Sequence, residues 1–89
     1  MVSQNEKVKA QRMIDDLTTK INNNMRIANN IVKFGKYKGM PLSSMIYDFY
    51  YMSWYVSNNK YIKNDEAYFL GCILTRERMR HYMNDDPLY

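Results

Sequence analysis

Two glycines bracket the run Phe34-Gly35-Lys36-Tyr37-Lys38-Gly39, which Met40-Pro41-Leu42 follows, and they limit what the middle of this chain can fold into. Glycine reaches positive φ without steric penalty, so Gly35 and Gly39 can sit where the backbone reverses or approaches another group closely. The apolar pair Ile31-Val32 leads in and Pro41-Leu42 leads out, a pattern that predicts a β-hairpin. Pro41 has no N–H to give to a ladder, which places it on an edge or at the first residue of a short return strand. The tip of such a hairpin presents Lys36, Tyr37 and Lys38 as cation, ring and cation.

Leu42 and then Asp48-x-x-Tyr51-x-x-Trp54 extend the pattern. With the glycine-bracketed run, it resembles the small module at the C-terminus of exodeoxyribonuclease X-like proteins, which also occurs alone in short bacterial and phage proteins. The resemblance covers residues 31–57 and leaves both flanking segments unexplained. Phe49 follows Asp48, near where that family commonly carries a proline. The resemblance implies a nucleic-acid-associated accessory module, with Gly35, Gly39, Leu42, Asp48, Tyr51 and Trp54 as its structural motif. It implies no nuclease activity, because that resides in a separate domain.

With 89 residues the chain has room for one domain and a modest core. Its formal charge of +4 is unevenly placed: +2 over residues 1–30, +4 over residues 31–63 and −2 over residues 64–89. A phosphate backbone would therefore meet the middle third first. Nine tyrosines and eight methionines are an excess that suits binding surfaces as well as cores, although a composition bias toward Lys, Asn, Ile and Tyr accounts for it equally well. A single cysteine, Cys72, excludes an internal disulfide, and its apolar helical setting predicts a buried small hydrophobe. Neither an N-terminal apolar signal region nor an apolar run of membrane-spanning length is present, so the expected location is cytoplasmic.

Ser3 and Glu6 have capping-box spacing, and Val8, Ile14, Leu17, Ile21, Met25 and Ala28 recur at helical intervals. A long helix is expected over residues 1–30, its apolar stripe serving either as core or as the seam of a homodimer. Asn22, Asn23, Asn24, Asn29 and Asn30 mark its end. A second helix rich in aromatics should start near Ser43, Ser44 or Asp48 and close at residues 57–60. A third is expected over residues 64–83, capped by Asn64 or Asp65, with Tyr68, Phe69, Leu70, Cys72, Ile73 and Leu74 inward. An acidic tail occupies residues 84–89. The expected fold is α+β: a long N-terminal helix, a β-hairpin and two further helices in one domain spanning residues 1–89.

Lysines neutralise phosphates and a ring offers a face to an unpaired base, so Lys36, Tyr37 and Lys38 form the first candidate nucleic-acid-binding set. Lys33 belongs beside them, with Lys60 and Lys63 if the fold brings them near. Arg76 and Arg80 share a helix face and suit phosphate contacts, although cations there also complement the helix dipole. Asp48 suits a cap or a partner for a hairpin lysine, and Tyr51 and Trp54 suit core packing behind the hairpin. His81 is the only histidine, the acidic pairs Asp15-Asp16 and Asp85-Asp86 lack catalytic spacing, and Gly35-x-x-x-Gly39-Met40 lacks a phosphate-loop ending. No enzyme activity, metal or cofactor is expected. The function expected is a non-catalytic nucleic-acid-binding accessory protein, DNA favoured, with small size and composition pointing to a phage or mobile element. The alternative is an inhibitor or modulator that engages a host protein through a Tyr- and Met-rich surface.

Overall fold

In the computed structural model, which describes residues 3–83, the Ser3 hydroxyl accepts the Glu6 N–H at 3.2 Å and starts helix α1 (Gln4–Asn23). The helix ends earlier than the apolar stripe does. Asn24 turns its Nδ2 onto the Lys20 carbonyl at 2.7 Å, competing with the next backbone donor, and the chain tightens into a 3₁₀ turn over Met25–Asn29. The remaining helices are α2 (Phe49–Asn58) and α3 (Asn64–Met83).

Helices α1 and α3 form the long axis of the fold. The Tyr82 hydroxyl donates to Glu6 Oε2 at 2.7 Å, and Arg76 donates to Thr18 Oγ1 at 3.2 Å, so the two helices run antiparallel. Between them and α2 lies the core: Ile21 from α1, Ile27, Val32, Leu42 and Met45 from the connection, Met52 and Tyr55 from α2, and Phe69, Leu70, Ile73 and Leu74 from α3. Cys72 is buried and unpaired. Of the stripe expected on α1, Ile14 and Ile21 are buried, but Val8 and Met25 are exposed. Tyr68, expected inward, is half exposed.

The expected β-hairpin, and with it the α+β class, is overturned: among the described residues the protein is all-helical, with no strand and a single antiparallel bridge between Ile31 and Pro41. The two legs do approach, since Val32 donates to the Met40 carbonyl at 2.8 Å and Leu42 to the Asn30 carbonyl at 2.9 Å. Two causes stop a ladder from propagating. On one side the chain bends directly after Pro41 into a second 3₁₀ turn, Leu42–Met45. At the other end, Gly35 and Gly39 both hold φ at +84°, and the loop closes on itself through Lys38 N–H to Gly35 O at 3.1 Å and Met40 N–H to Tyr37 O at 3.0 Å.

The acidic tail expected at residues 84–89 lies outside the described residues. No helix among those described is long and apolar enough to cross a membrane.

Candidate functional site

The loop between the two glycines is tied to the start of α2 by one carboxylate. Asp48 caps that helix, its Oδ1 accepting the Tyr51 N–H at 3.3 Å. Its Oδ2 receives both the Lys36 ammonium and the Tyr37 hydroxyl, each at 2.7 Å. Lys36 also donates its backbone N–H to the Tyr51 hydroxyl oxygen at 3.0 Å. The Lys36 ammonium, then the Tyr37 hydroxyl, hold the Asp48 carboxyl below the usual carboxylate range. In return the hydrogen bond to Asp48 raises the Lys36 ammonium and the Tyr37 phenol above theirs.

The cation, ring and cation expected at a hairpin tip are thus differently employed. Lys36 is ion-paired although its side chain is 60% exposed. Tyr37 is half-buried, its ring edge-on to Tyr51 at 5.2 Å between centroids and with the Lys36 ammonium over it at 5.4 Å. Lys38 alone of the three is exposed with no ion pair to a described residue. Leu42 is buried beneath the loop. Tyr51 and Trp54 are neighbours at 5.6 Å, yet only Tyr51 is drawn inward: Trp54 is 48% exposed.

From Tyr37 a row of rings runs through buried Tyr55 to the exposed Phe34 and Trp54. Tyr51 meets Tyr55 at 6.1 Å, Tyr55 stacks on Phe34 at 5.4 Å, and Phe34 returns to Trp54 at 6.4 Å. Phe34 is also the meeting point of two adjoining clefts, of about 310 and 420 Å³, that share Lys33, Phe34, Asn59 and Tyr61. The first adds Lys63 and the second Lys60. Lys33 and the distant pair Lys60 and Lys63 therefore line one groove made of the two adjoining clefts, with Phe34 and Tyr61 common to both. Glu66 also reaches the groove, where its Oε2 accepts the Asn30 side-chain amide at 2.9 Å.

The turn that presents this groove is built by Asn59. Its N–H bonds the Tyr55 carbonyl at 3.1 Å and so closes α2, while its Oδ1 accepts the Tyr61 N–H at 3.0 Å. Asn59 is buried, and Tyr61, held two residues on, is 89% exposed. Asn59, Phe34 and Tyr61 were not among the candidate binding residues of the sequence, although Phe34 opens the glycine-bracketed run. One signal was available: Lys60-Tyr61-Ile62-Lys63 repeats the interleaving of cation and ring seen in Lys36-Tyr37-Lys38.

Arg76 and Arg80 do not extend this groove. They line another cleft, with Tyr47 and Phe49, that shares no lining residue with it. Among the described residues no cluster of His, Cys, Asp and Glu could hold a metal. No family model, curated protein or solved structure is significantly similar to the chain.

Proposed function

We propose that this chain is a small non-catalytic accessory protein that binds nucleic acid as a single strand, DNA favoured, in the cytoplasm of its host cell. The observation that carries this reading is the meeting of Lys33, Lys60 and Lys63 with Phe34 and Tyr61 in one groove. Single-strand binders pair cations that follow the phosphates with rings on which bases stack, and stacking tolerates any base. Tyr61 offers an open ring face at the mouth, and Trp54 continues the aromatic surface beyond Phe34. Asp48 neutralises Lys36 only, which leaves Lys38 and the three groove lysines available for phosphates. The motif resemblance points the same way, and its residues Lys36, Tyr37, Asp48 and Tyr51 form one bonded unit.

The test is a titration with single-stranded and duplex DNA, and with single-stranded RNA, at two salt concentrations. The reading expects the single strand to bind more tightly than the duplex. It also expects Tyr61→Ala to weaken binding by about 1–3 kcal/mol with little change in salt dependence. Exposed Tyr47, Tyr50, Trp54 and Tyr68 favour a protein partner as the second reading. Affinity that is unmeasurable for every nucleic acid decides for that second reading.

A further inference from the structure

The cleft beside the last turns of α3 has a volume of about 330 Å³. Ile21, Phe69 and Ile73 floor it, and Tyr47, Arg76 and Arg80 stand around it. The two arginines are one helical turn apart on the same face. Arg76 is half-buried, and its one hydrogen bond to a described residue goes to a neutral group, Thr18 Oγ1, at 3.2 Å. Neither arginine forms an ion pair with a described carboxylate. Glu77, the one carboxylate lining the cleft, is taken by His81 Nε2 at 3.1 Å. Burial and then the charge of Arg80 lower the affinity of Arg76 for its proton, against the weaker opposing pull of Glu77 and Tyr47.

Two guanidiniums on one cleft, the Arg76 one half-buried and the Arg80 one exposed, without a paired anion, are a charge arrangement that a ligand can complete. A carboxylate would supply one negative charge. A phosphate monoester supplies about −1.5 to −2 at neutral pH and offers oxygens to both guanidinium forks. The rim adds an aromatic body: Tyr47 is 85% exposed, and Phe49 lines the same cleft. We propose that this cleft binds the phosphate monoester of a nucleotide, with the phosphate on Arg76 and Arg80 and the base against Tyr47. The site is separate from the lysine groove and stands whether or not that groove holds a strand. A free mononucleotide and the terminal phosphate of a strand share this chemistry.

The experiment is calorimetry on the full chain with a nucleoside 5′-monophosphate, the same nucleoside without phosphate, phosphoserine, and a short oligomer with and without a 5′-phosphate. The proposal expects the monophosphate to bind and the nucleoside to bind at least about tenfold more weakly. Arg80→Gln and Tyr47→Ala should each weaken the monophosphate with an unchanged thermal melt, since both side chains are exposed. Arg78→Gln removes the same charge from an exposed position outside the cleft and should leave binding as it was. Tighter binding of the phosphorylated oligomer than of the mononucleotide assigns the site to strand ends, and the reverse order assigns it to free nucleotide. The proposal is overturned if nothing binds, if nucleoside or phosphoserine matches the monophosphate, or if Arg80→Gln leaves the affinity intact.

Discussion

The Tyr51 hydroxyl stands in the space that a side chain on Gly35 would need. A Cβ built there would overlap the oxygen, and the same oxygen accepts the Lys36 N–H at 3.0 Å. Gly39 holds the same φ of +84° with open space around it. The two glycines therefore separate backbone strain from steric exclusion. Gly39→Ala is expected to cost about 1–2 kcal/mol. Gly35→Ala should cost about 1–3 kcal/mol more, because overlap is added to strain. In a Tyr51→Phe background that excess should shrink, a coupling that chemical denaturation of the four variants measures. Equal costs for the two glycines would show that Tyr51 does not hold the loop.

Asp48 gives the loop an acid limit. Its folded-state pKa lies below the ordinary 3.8, so its contribution is complete above that value and is lost as pH falls through the folded one. Asp48→Asn keeps an oxygen able to cap α2 while removing the charge that holds Lys36. The melting-temperature gap between wild type and Asp48→Asn should stay constant from neutral pH to about pH 5 and narrow below about pH 4. A gap that persists unchanged into strong acid would mean that the charge contributes nothing.

The parts of this fold legible in the sequence are those set by neighbours along the chain. Ser3 as a cap, α3 over residues 64–83 and positive φ at both glycines follow from local rules. The missing strands depend on a competition that periodicity does not express. The 3₁₀ turn starts at Leu42, the loop closes on itself between Gly35 and Gly39, and Asp48 gathers Lys36 and Tyr37 from more than ten residues away. Helix α2 is apolar almost all round, so no pattern marked Met52 and Tyr55 as the inward pair or Trp54 as half exposed. The groove was least visible, because Lys33 and Phe34 come to Lys60, Tyr61 and Lys63 only through tertiary packing.

The inward stripe of α1 is engaged within the chain, which bears on self-association. Ile21 is 4% exposed, and Ile21→Ala should cost about 2–5 kcal/mol through the cavity it leaves. The melting temperature of the wild-type protein should not depend on its concentration. A rise with concentration would show that a second copy completes the fold. In that case exposed Val8 and Met13 are the α1 residues to test.

Asn59 connects stability to presentation of the groove. Asn59→Ala removes the acceptor for the Tyr61 N–H and should cost about 0.5–1.5 kcal/mol. Binding of a single strand should weaken as well, since the turn no longer fixes Lys60 and Tyr61 against Lys33 and Phe34. Unchanged affinity in a destabilised variant, compared well below both melting temperatures, would show that the turn does not position the ligand.

The most direct measurement of the central claim is the salt dependence of single-strand binding in a Lys33→Gln, Lys60→Gln, Lys63→Gln triple variant. Its control is Lys9→Gln, Arg12→Gln, Arg78→Gln, which removes the same charge from exposed positions outside the groove. Each phosphate contact to a single strand contributes about 0.7 to the slope of log K against log salt, so the groove variant should lose about 2 units of slope along with its affinity. The control variant should keep most of both. Equal losses in the two variants, or a wild-type protein that binds no strand at low salt, would contradict the account.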